Sequence, residues 1–307
     1  MDTKLTKSHH HHHHEIHHQM KSNKLNKIFI IAIVINVLFV ALEFLLGMLS
    51  NSVSLLSDAG HNLTDIASLI LALLAMRLSQ MRTNEKYTYG YKKSTILVSL
   101  FNAILLVVVV IFILKESIEK IYYPQSVDGN IIAIVAFIGV IVNTITALLF
   151  LHDKDKDLNV KGAYLHMAAD ALVSIGVVVS GVIIYFTGAY VVDFIVGLII
   201  AIIIIISTWK LLKESVQLAL DGVPIGIDLK KVKNVICSQE NVKEIHHLHV
   251  WAMSTTENAL TVHIVLNDMS QMYKTKSNIK QAMAEIGIEH VTLEFESEIE
   301  HCTNKND

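Results

Sequence analysis

Two histidine–aspartate pairs are the residues in this sequence with the clearest capacity for chemistry. His61 and Asp65 stand four positions apart, and His166 and Asp170 repeat that spacing further along the chain. Side chains four positions apart lie on the same face of a helix. Two such faces opposed would offer two imidazoles and two carboxylates, a nitrogen and oxygen set that zinc accepts in a tetrahedron. The pattern predicts a site for a divalent transition metal.

Both pairs lie inside long apolar segments of a chain whose composition is typical of membrane proteins. Of its 307 residues, 52% are hydrophobic and 17% are charged, a balance that a soluble domain maintains with difficulty. An ionised carboxylate at the centre of a bilayer costs about 2.5 to 3.5 kcal/mol, and a bound dication would offset that cost. A structural alternative stays open, because buried histidines and aspartates also join helices by hydrogen bonds. The doubled pair favours the metal.

Six apolar segments are each near the roughly 20 residues that a helix needs to cross a bilayer. They predict an all-α transmembrane domain of six helices, which we assign to 28–213. The segments are 28–49, 53–78, 94–114, 130–151, 162–186 and 191–212.

Lysine and arginine are distributed unequally among the connections between these segments. Positive residues near segment ends accumulate on the cytoplasmic side of a membrane. The first and fifth connections carry no Lys or Arg. The prediction is therefore a multi-pass protein of the plasma membrane with both termini in the cytoplasm. The positive residues of the second and fourth connections are Arg77, Arg82, Lys86, Lys92, Lys93, Lys154, Lys156 and Lys161.

The composition becomes that of a soluble domain after Lys213. Amphipathic and alternating segments predict the order αββαβ, a small cytoplasmic α+β domain of ferredoxin-like order at 214–297. Residues 298–307 are predicted to be a frayed tail. The predicted elements are a helix at 228–237, strands at 242–251 and 259–266, a helix at 270–286 and a strand at 290–296.

The first 27 residues are polar and rich in histidine. Six consecutive histidines at 9–14 are typical of an expression tag, whereas the continuation to His17 and His18 favours a natural metal-gathering tail. Both interpretations predict that 1–27 has no fold.

Other polar residues lie near the two pairs. Asp58 precedes His61 by three residues and shares its helical face, so it is a candidate for orienting an imidazole or carrying a proton. Glu43 invites the same two interpretations, with solvation by water at the membrane interface as the alternative. Asn62 and Asn143 are expected to form hydrogen bonds between helices.

Together with the two pairs, several short motifs resemble the cation diffusion facilitator family of metal-ion/proton antiporters. As a set they are specific, and they extend from the first membrane segment to the cytoplasmic domain. They are Glu-Phe-Leu-Leu-Gly at 43–47, Ser-Val-Ser-Leu-Leu-Ser-Asp-Ala-Gly-His-Asn-Leu-Thr-Asp at 52–65, Tyr-Gly-Tyr at 89–91, His-x-x-x-Asp at 166–170, Trp-x-Leu-x-Lys-Glu-Ser at 209–215, Leu-Asp-Gly-Val-Pro at 220–224 and His-Val-Trp at 249–251.

The resemblance implies a homodimeric exporter that carries zinc against protons by alternating access, with cadmium and cobalt also accepted. It implies that His61, Asp65, His166 and Asp170 are direct ligands of the transported metal. Binding requires neutral imidazole and ionised carboxylate, so binding expels protons and protonation expels metal. The expected partners are a divalent cation, protons, the lipid bilayer and a second copy of the chain. Nucleic acid is not expected, because no basic face with interleaved aromatic residues appears.

The loop between the second and third segments departs from the family pattern. After Tyr91 the family usually continues with His, Arg and Glu, whereas this sequence has Lys92, Lys93 and Ser94. We therefore assign no metal site to this loop.

Histidine recurs on the predicted strands of the cytoplasmic domain. Alternate residues of a strand share a face, so His247 and His249 are expected to point together and His246 to the other side. The resemblance implies a regulatory Zn2+ site on this sheet, and a solvated face with scattered histidines is the alternative. The implied ligands are His246, His263 and Glu296, with His290 nearby and His301 and Cys302 available from the tail.

Three other functions would use parts of this pattern. A catalytic zinc centre keeps an open coordination position, which four ligands do not leave, so an enzyme is not expected. A membrane-bound sensor or scaffold that binds zinc without transporting it is the main alternative, although it needs no ligands at costly membrane depth. A channel needs weak, multiple sites rather than one tight chelate. A carrier that rocks around a central site fits the pattern best.

Overall fold

The computed structural model describes residues 9–49, 53–122, 130–187 and 191–297. Within these ranges the chain forms long helices followed by a small mixed domain, which confirms the predicted fold class. The six long helices of the described residues are α1 His9–Leu49, α2 Val53–Ser79, α3 Ser94–Tyr122, α4 Asn130–Leu151, α5 Leu158–Thr187 and α6 Val191–Ala219.

Several of these helices have the length and composition of membrane spans. Over the described residues, 24–49, 59–79, 94–112 and 195–219 are long and apolar enough to cross a membrane, and α4 adds a shorter apolar stretch at 137–151. The bounds of α2 and α4 match their predicted segments to within one residue. In both, polar residues border the apolar stretch at each end.

Two helices begin earlier than predicted. α1 starts at His9, so 9–27 is helical where the sequence predicts no fold. No Gly or Pro interrupts this segment, and a helix that the apolar segment has nucleated extends at little cost per residue. α5 starts at Leu158 because Asp157 caps it, with the Asn159 N–H donating to the Asp157 Oδ1 at 2.7 Å. The remaining predicted tails, 1–8 and 298–307, lie outside the described residues.

Packing between the helices uses small residues and buried polar pairs. A Cβ added at Gly176 of α5 would overlap the Ile200 side chain of α6, so the missing side chain permits close approach. On α1, the Asn36 amide donates to the Thr146 Oγ1 of α4 at 3.2 Å, and both residues are buried. These contacts hold α5 against α6 and α1 against α4.

The C-terminal domain has the predicted order αββαβ. Its sheet has the strand order β1-β2-β3, with β1 antiparallel and β3 parallel to β2. A short 3-10 helix, Met269–Gln271, occupies the start of the predicted second helix. The elements are α7 Leu229–Cys237, β1 Val242–Ala252, β2 Asn258–Leu266, α8 Met272–Glu285 and β3 His290–Glu296.

One face of this sheet forms the domain core. Leu260, Val262 and Ile264 of β2 are fully buried and belong to one apolar cluster with Ile279 of α8. Because side chains alternate along a strand, His263 lies on the face away from this core. The folding of the core therefore determines which face presents the histidine.

The turn between β1 and β2 is bound to the beginnings of α3 and α5. The Thr255 N–H donates to the Thr95 Oγ1 at 3.1 Å, and the Thr255 hydroxyl donates to the Asp157 Oδ2 at 2.7 Å. Glu257 of the same turn forms an ion pair with Lys92. Asp157 thus uses one carboxylate oxygen to cap α5 and the other to bind the turn. These residues belong to one compact unit, which contains 78–104, 156–159 and the chain from 209 onwards.

Candidate metal sites

α2 and α5 bring the two His–Asp pairs together. Ligand atoms of His61, Asp65 and Asp170 lie within 4.8 Å of one another, and His166 contacts Asp65 directly. The four side chains therefore converge on one region between the two helices. All four belong to the compact unit that contains the chain up to 77, 105–155 and 160–208.

The shortest contact of this group joins the two helices. The His166 Nε2 lies 2.5 Å from the Asp65 Oδ1, and the side chains are only 6% and 3% exposed. The contact within α5 is longer, since the His166 Nε2 lies 3.9 Å from the Asp170 Oδ2. The pair formed across the helices satisfies both groups in surroundings where an unpaired polar atom is costly.

His61 and Asp170 form the more accessible half of the group. The His61 Nε2 lies 3.9 Å from the Asp170 Oδ1, and the His61 side chain is 46% exposed. The Asp170 Oδ2 is buried and has no hydrogen-bond partner among the described residues. A buried carboxylate oxygen without a hydrogen bond costs free energy, so this position fits a cation.

Two of the distances in this group are close to those of a tetrahedral zinc centre. With metal–ligand distances of about 2.0 to 2.2 Å, tetrahedral geometry places the ligand atoms roughly 3.4 Å apart. The two 3.9 Å contacts of Asp170 approach that separation. The 2.5 Å contact between His166 and Asp65 is shorter, so these two side chains would have to separate for all four residues to bind one metal ion.

Of the polar residues near the two His–Asp pairs, the structure describes the side chains of Glu43 and Asn62 but not that of Asp58. The side chain of Asp58 lies outside the described residues, so its proposed role stays a prediction. Glu43 of α1 is fully buried, and its Oε2 accepts a hydrogen bond from the Asn62 Nδ2 at 2.7 Å. The expected role of Asn62 in joining two helices is thereby confirmed.

A second cluster of ligand atoms lies on the sheet of the C-terminal domain. Atoms of His246, His263 and Glu296 lie within 4.8 Å of one another. The Glu296 Oε1 lies 2.7 Å from the His263 Nδ1 and 3.3 Å from the His246 Nε2. On the other side of the His263 ring, the Nε2 lies 3.3 Å from the Glu294 Oε2. One imidazole is thus bracketed by two carboxylates.

The side-chain atoms of this cluster are suited to binding a zinc ion. The His246 Nε2 is buried and lacks a hydrogen-bond partner among the described residues, although it lies near Glu296. The His246 Nε2 could therefore bind a metal ion. A metal-bound histidine usually donates its second ring N–H to a carboxylate, and Glu294 is placed to accept from His263. The residues present can therefore hold zinc through His246, His263 and Glu296.

Two histidines of this domain lie elsewhere than predicted. His247 was expected opposite His246, but a bulge between His246 and His249 breaks the alternation, and the His247 ring centre lies 5.1 Å from that of His246. His290 pairs in register with Ala259 and packs its ring edge-on against Tyr89 at 5.5 Å. The structure therefore does not bring His290 into the cluster, and His301 and Cys302 lie outside the described residues.

Comparison with known proteins identifies the family. Residues 29–218 match the cation efflux transmembrane domain, and residues 224–298 match the cytoplasmic domain of cation efflux proteins. A cadmium, cobalt and zinc/H(+)-K(+) antiporter of Bacillus subtilis is 32% identical over 94% of both chains. The metal cation efflux system protein CzcD of Cupriavidus metallidurans is 37% identical over 87% of this chain and 85% of its own.

A third relative, the zinc transporter ZitB of Escherichia coli, is 35% identical over 84% of this chain and 83% of its own. The two domain models together cover both the helical part and the sheet domain. The resemblance seen in the motifs is therefore confirmed along nearly the whole chain. The chain belongs to the cation efflux family, the family of the cation diffusion facilitators.

Proposed function

We propose that the chain exports zinc, with cadmium and cobalt as further substrates, in exchange for protons. The observation that carries this proposal is the convergence of two imidazoles and two carboxylates between α2 and α5. Three relatives whose names specify zinc, cadmium, cobalt or metal cations support the class of substrate. The family consists of transporters, which excludes the enzyme interpretation.

Charge balance explains why protons would be the counter-substrate. A dication bound to Asp65 and Asp170 leaves the site neutral, so the loaded site carries no net charge within the apolar helices. After the metal leaves, each carboxylate would cost about 2.5 to 3.5 kcal/mol at membrane depth. Two protons taken up by the four ligands restore neutrality. We therefore favour two protons per metal ion.

Zinc flux in reconstituted vesicles tests this function. Purified protein in proteoliposomes, with a zinc indicator inside, is given an acidic interior and a neutral exterior. We expect zinc entry to accelerate with the outward proton gradient and to slow when an ionophore removes the gradient. Flux that ignored the gradient would contradict antiport. Tight zinc binding with no flux would favour the sensor or scaffold alternative.

The placement in the cell follows from charge distribution and family. Membership of the transporter family supports a multi-pass protein of the plasma membrane. Lysine and arginine in the second and fourth connections favour an orientation with both termini in the cytoplasm. The C-terminal sheet domain matches the cytoplasmic domain of the family. We assign this domain to the contact between two copies of the chain, which makes the transporter a homodimer.

The cluster of His246, His263 and Glu296 is proposed as a regulatory zinc site. Its two histidines lie on β1 and β2, and the turn joining these strands binds Asp157. Asp157 caps α5, the helix that carries His166 and Asp170. Zinc bound on the sheet would thus bias the membrane helix through one shared turn, provided that it binds one conformation more tightly.

Removing the hydroxyl of Thr255 tests this route. In Thr255→Val the shape and the backbone N–H remain, but the hydrogen bond to the Asp157 Oδ2 is lost. We expect cytoplasmic zinc to lose most of its influence on transport, a coupling of about fivefold or more in apparent zinc affinity. Initial zinc flux as a function of zinc concentration measures this, with zinc binding to the sheet unchanged.

Thr256→Val is the matched control, because Thr256 lies in the same turn and is exposed. It should retain the response of the unmodified protein. Equal loss of response in both variants would indicate general damage to the turn, and full response in Thr255→Val would remove the route through Asp157.

A further inference from the structure

Three imidazole rings of the sheet domain stand at nearly equal distances from one another. The ring centres of His246 and His263 are 5.2 Å apart, those of His246 and His247 are 5.1 Å apart, and those of His247 and His263 are 5.1 Å apart. His247 is not among the residues assigned to the regulatory site above. Its ring is nevertheless as close to the rings of His246 and His263 as these two rings are to each other.

Equal spacing of this size is the geometry of imidazoles around one zinc ion. With Zn–N distances of about 2.0 to 2.1 Å, each ring centre roughly 1.1 Å beyond its nitrogen and tetrahedral angles, ring centres lie roughly 5.2 Å apart. Within the described part of the sheet domain, the ligand atoms of His246, His263 and Glu296 lie within 4.8 Å of one another, and His247 is not part of that group. His247 therefore has its ring at the required distance and needs a rotation to direct a nitrogen inward.

The backbone at His247 shows how the strand places it there. His247 has a backbone φ of 48°, a positive value that residues other than glycine rarely adopt. The register shifts between His246 and His249, so the bulge turns His247 out of the alternation. A side chain in this left-handed region costs about 1 kcal/mol or more and persists where the surroundings require it. The bulge is accompanied by a separation of 5.1 Å between the ring centres of two consecutive histidines, His246 and His247.

We propose that His247 is the fourth protein ligand of the cytoplasmic zinc site, completing a set of three histidines and Glu296. This inference rests on the proposed regulatory site and deepens it. Four protein ligands close the coordination sphere, which is typical of structural rather than catalytic zinc. Zinc would then join all three strands, since His246 and His247 lie on β1, His263 lies on β2 and Glu296 lies on β3.

Metal titration of the full-length protein tests the assignment. All proteins carry Asp65→Asn, so that the membrane site does not contribute, and are compared in detergent with His247→Gly, His263→Ala and His290→Ala added. Zinc affinity is measured by competition with a chelator, and Co2+ absorption in the visible range reports coordination. We expect His247→Gly and His263→Ala each to weaken zinc on the order of 100-fold and to change the cobalt spectrum. His290→Ala should alter neither.

Glycine is chosen at position 247 because it adopts a positive φ without strain. The melting temperature of the metal-free His247→Gly protein should therefore be at or above that of its parent, which separates lost ligation from misfolding. Unchanged affinity and spectrum in His247→Gly, with loss in His263→Ala, would overturn the role of His247 and leave a three-ligand site. Unchanged binding in both variants would remove the cytoplasmic site altogether.

Discussion

Replacing Asp65 by asparagine is expected to reduce zinc transport by at least about 100-fold while the protein remains folded. Asparagine has the shape of aspartate and can still form a hydrogen bond with His166, whose Nε2 lies 2.5 Å from the Asp65 Oδ1. It cannot supply the negative charge. A dication would then leave the loaded site with a net positive charge among apolar helices, where charge is costly.

Flux in proteoliposomes measures the loss, and the elution of the purified variant in size-exclusion chromatography checks its fold. Asn36→Ala is a suitable control, because Asn36 is also a buried polar residue of the helical unit but bonds to Thr146 and the carbonyl of Ala32. It should keep the apparent KM for zinc. Transport by Asp65→Asn within about tenfold of the unmodified protein would mean that Asp65 is not a ligand.

The positions of the helices follow from the sequence to a large extent. α4 occupies its predicted segment, and α2 is one residue longer than its own predicted segment. A long apolar segment that ends at polar residues leaves few other positions for a membrane helix. The last strand, His290–Glu296, also has its predicted bounds. α5 begins four residues before its predicted segment at 162, since the cap at Asp157 lies in a polar stretch that hydropathy does not mark.

The pairing inside the membrane group was less accessible to sequence reasoning. Spacing places His166 and Asp170 on one helical face and predicts that this face opposes the one with His61 and Asp65, but it does not predict which side chains make the shortest contact. The structure joins His166 to Asp65 at 2.5 Å, and the contact with Asp170 is 3.9 Å. The distance between two helices decides which carboxylate lies nearer, and periodicity within one helix carries no information about it.

The orientation of His247 shows the limit of strand periodicity. Alternation holds for β2, where Leu260, Val262 and Ile264 all face the core. It fails on β1, because one extra residue in a strand moves the following side chains to the other face. The contact between Thr255 and Asp157 joins residues 98 positions apart, and no local pattern predicts such a pair.

The affinity of the membrane site for zinc is expected to fall steeply as the pH is lowered. Each proton that must leave a ligand before zinc binds contributes a tenfold change in affinity per pH unit below the pKa of that ligand. Histidine ordinarily titrates near pH 6.5. One or two displaced protons therefore predict a loss of about 10- to 100-fold per unit as the pH falls below roughly 6.5, and little change in affinity well above that pH.

Equilibrium zinc binding to detergent-solubilised protein measures this slope, in a His263→Ala background that removes the sheet site. His61→Gln is the informative variant, because His61 is the more exposed imidazole of the group and glutamine does not titrate. Its affinity at high pH should be lower, but the slope should decrease by about one proton per metal ion. A flat pH dependence in the unmodified protein would contradict proton exchange at these ligands. A slope unaltered by His61→Gln would assign the displaced protons to His166, Asp65 or Asp170 instead, which places the proton path on the buried contact between α2 and α5.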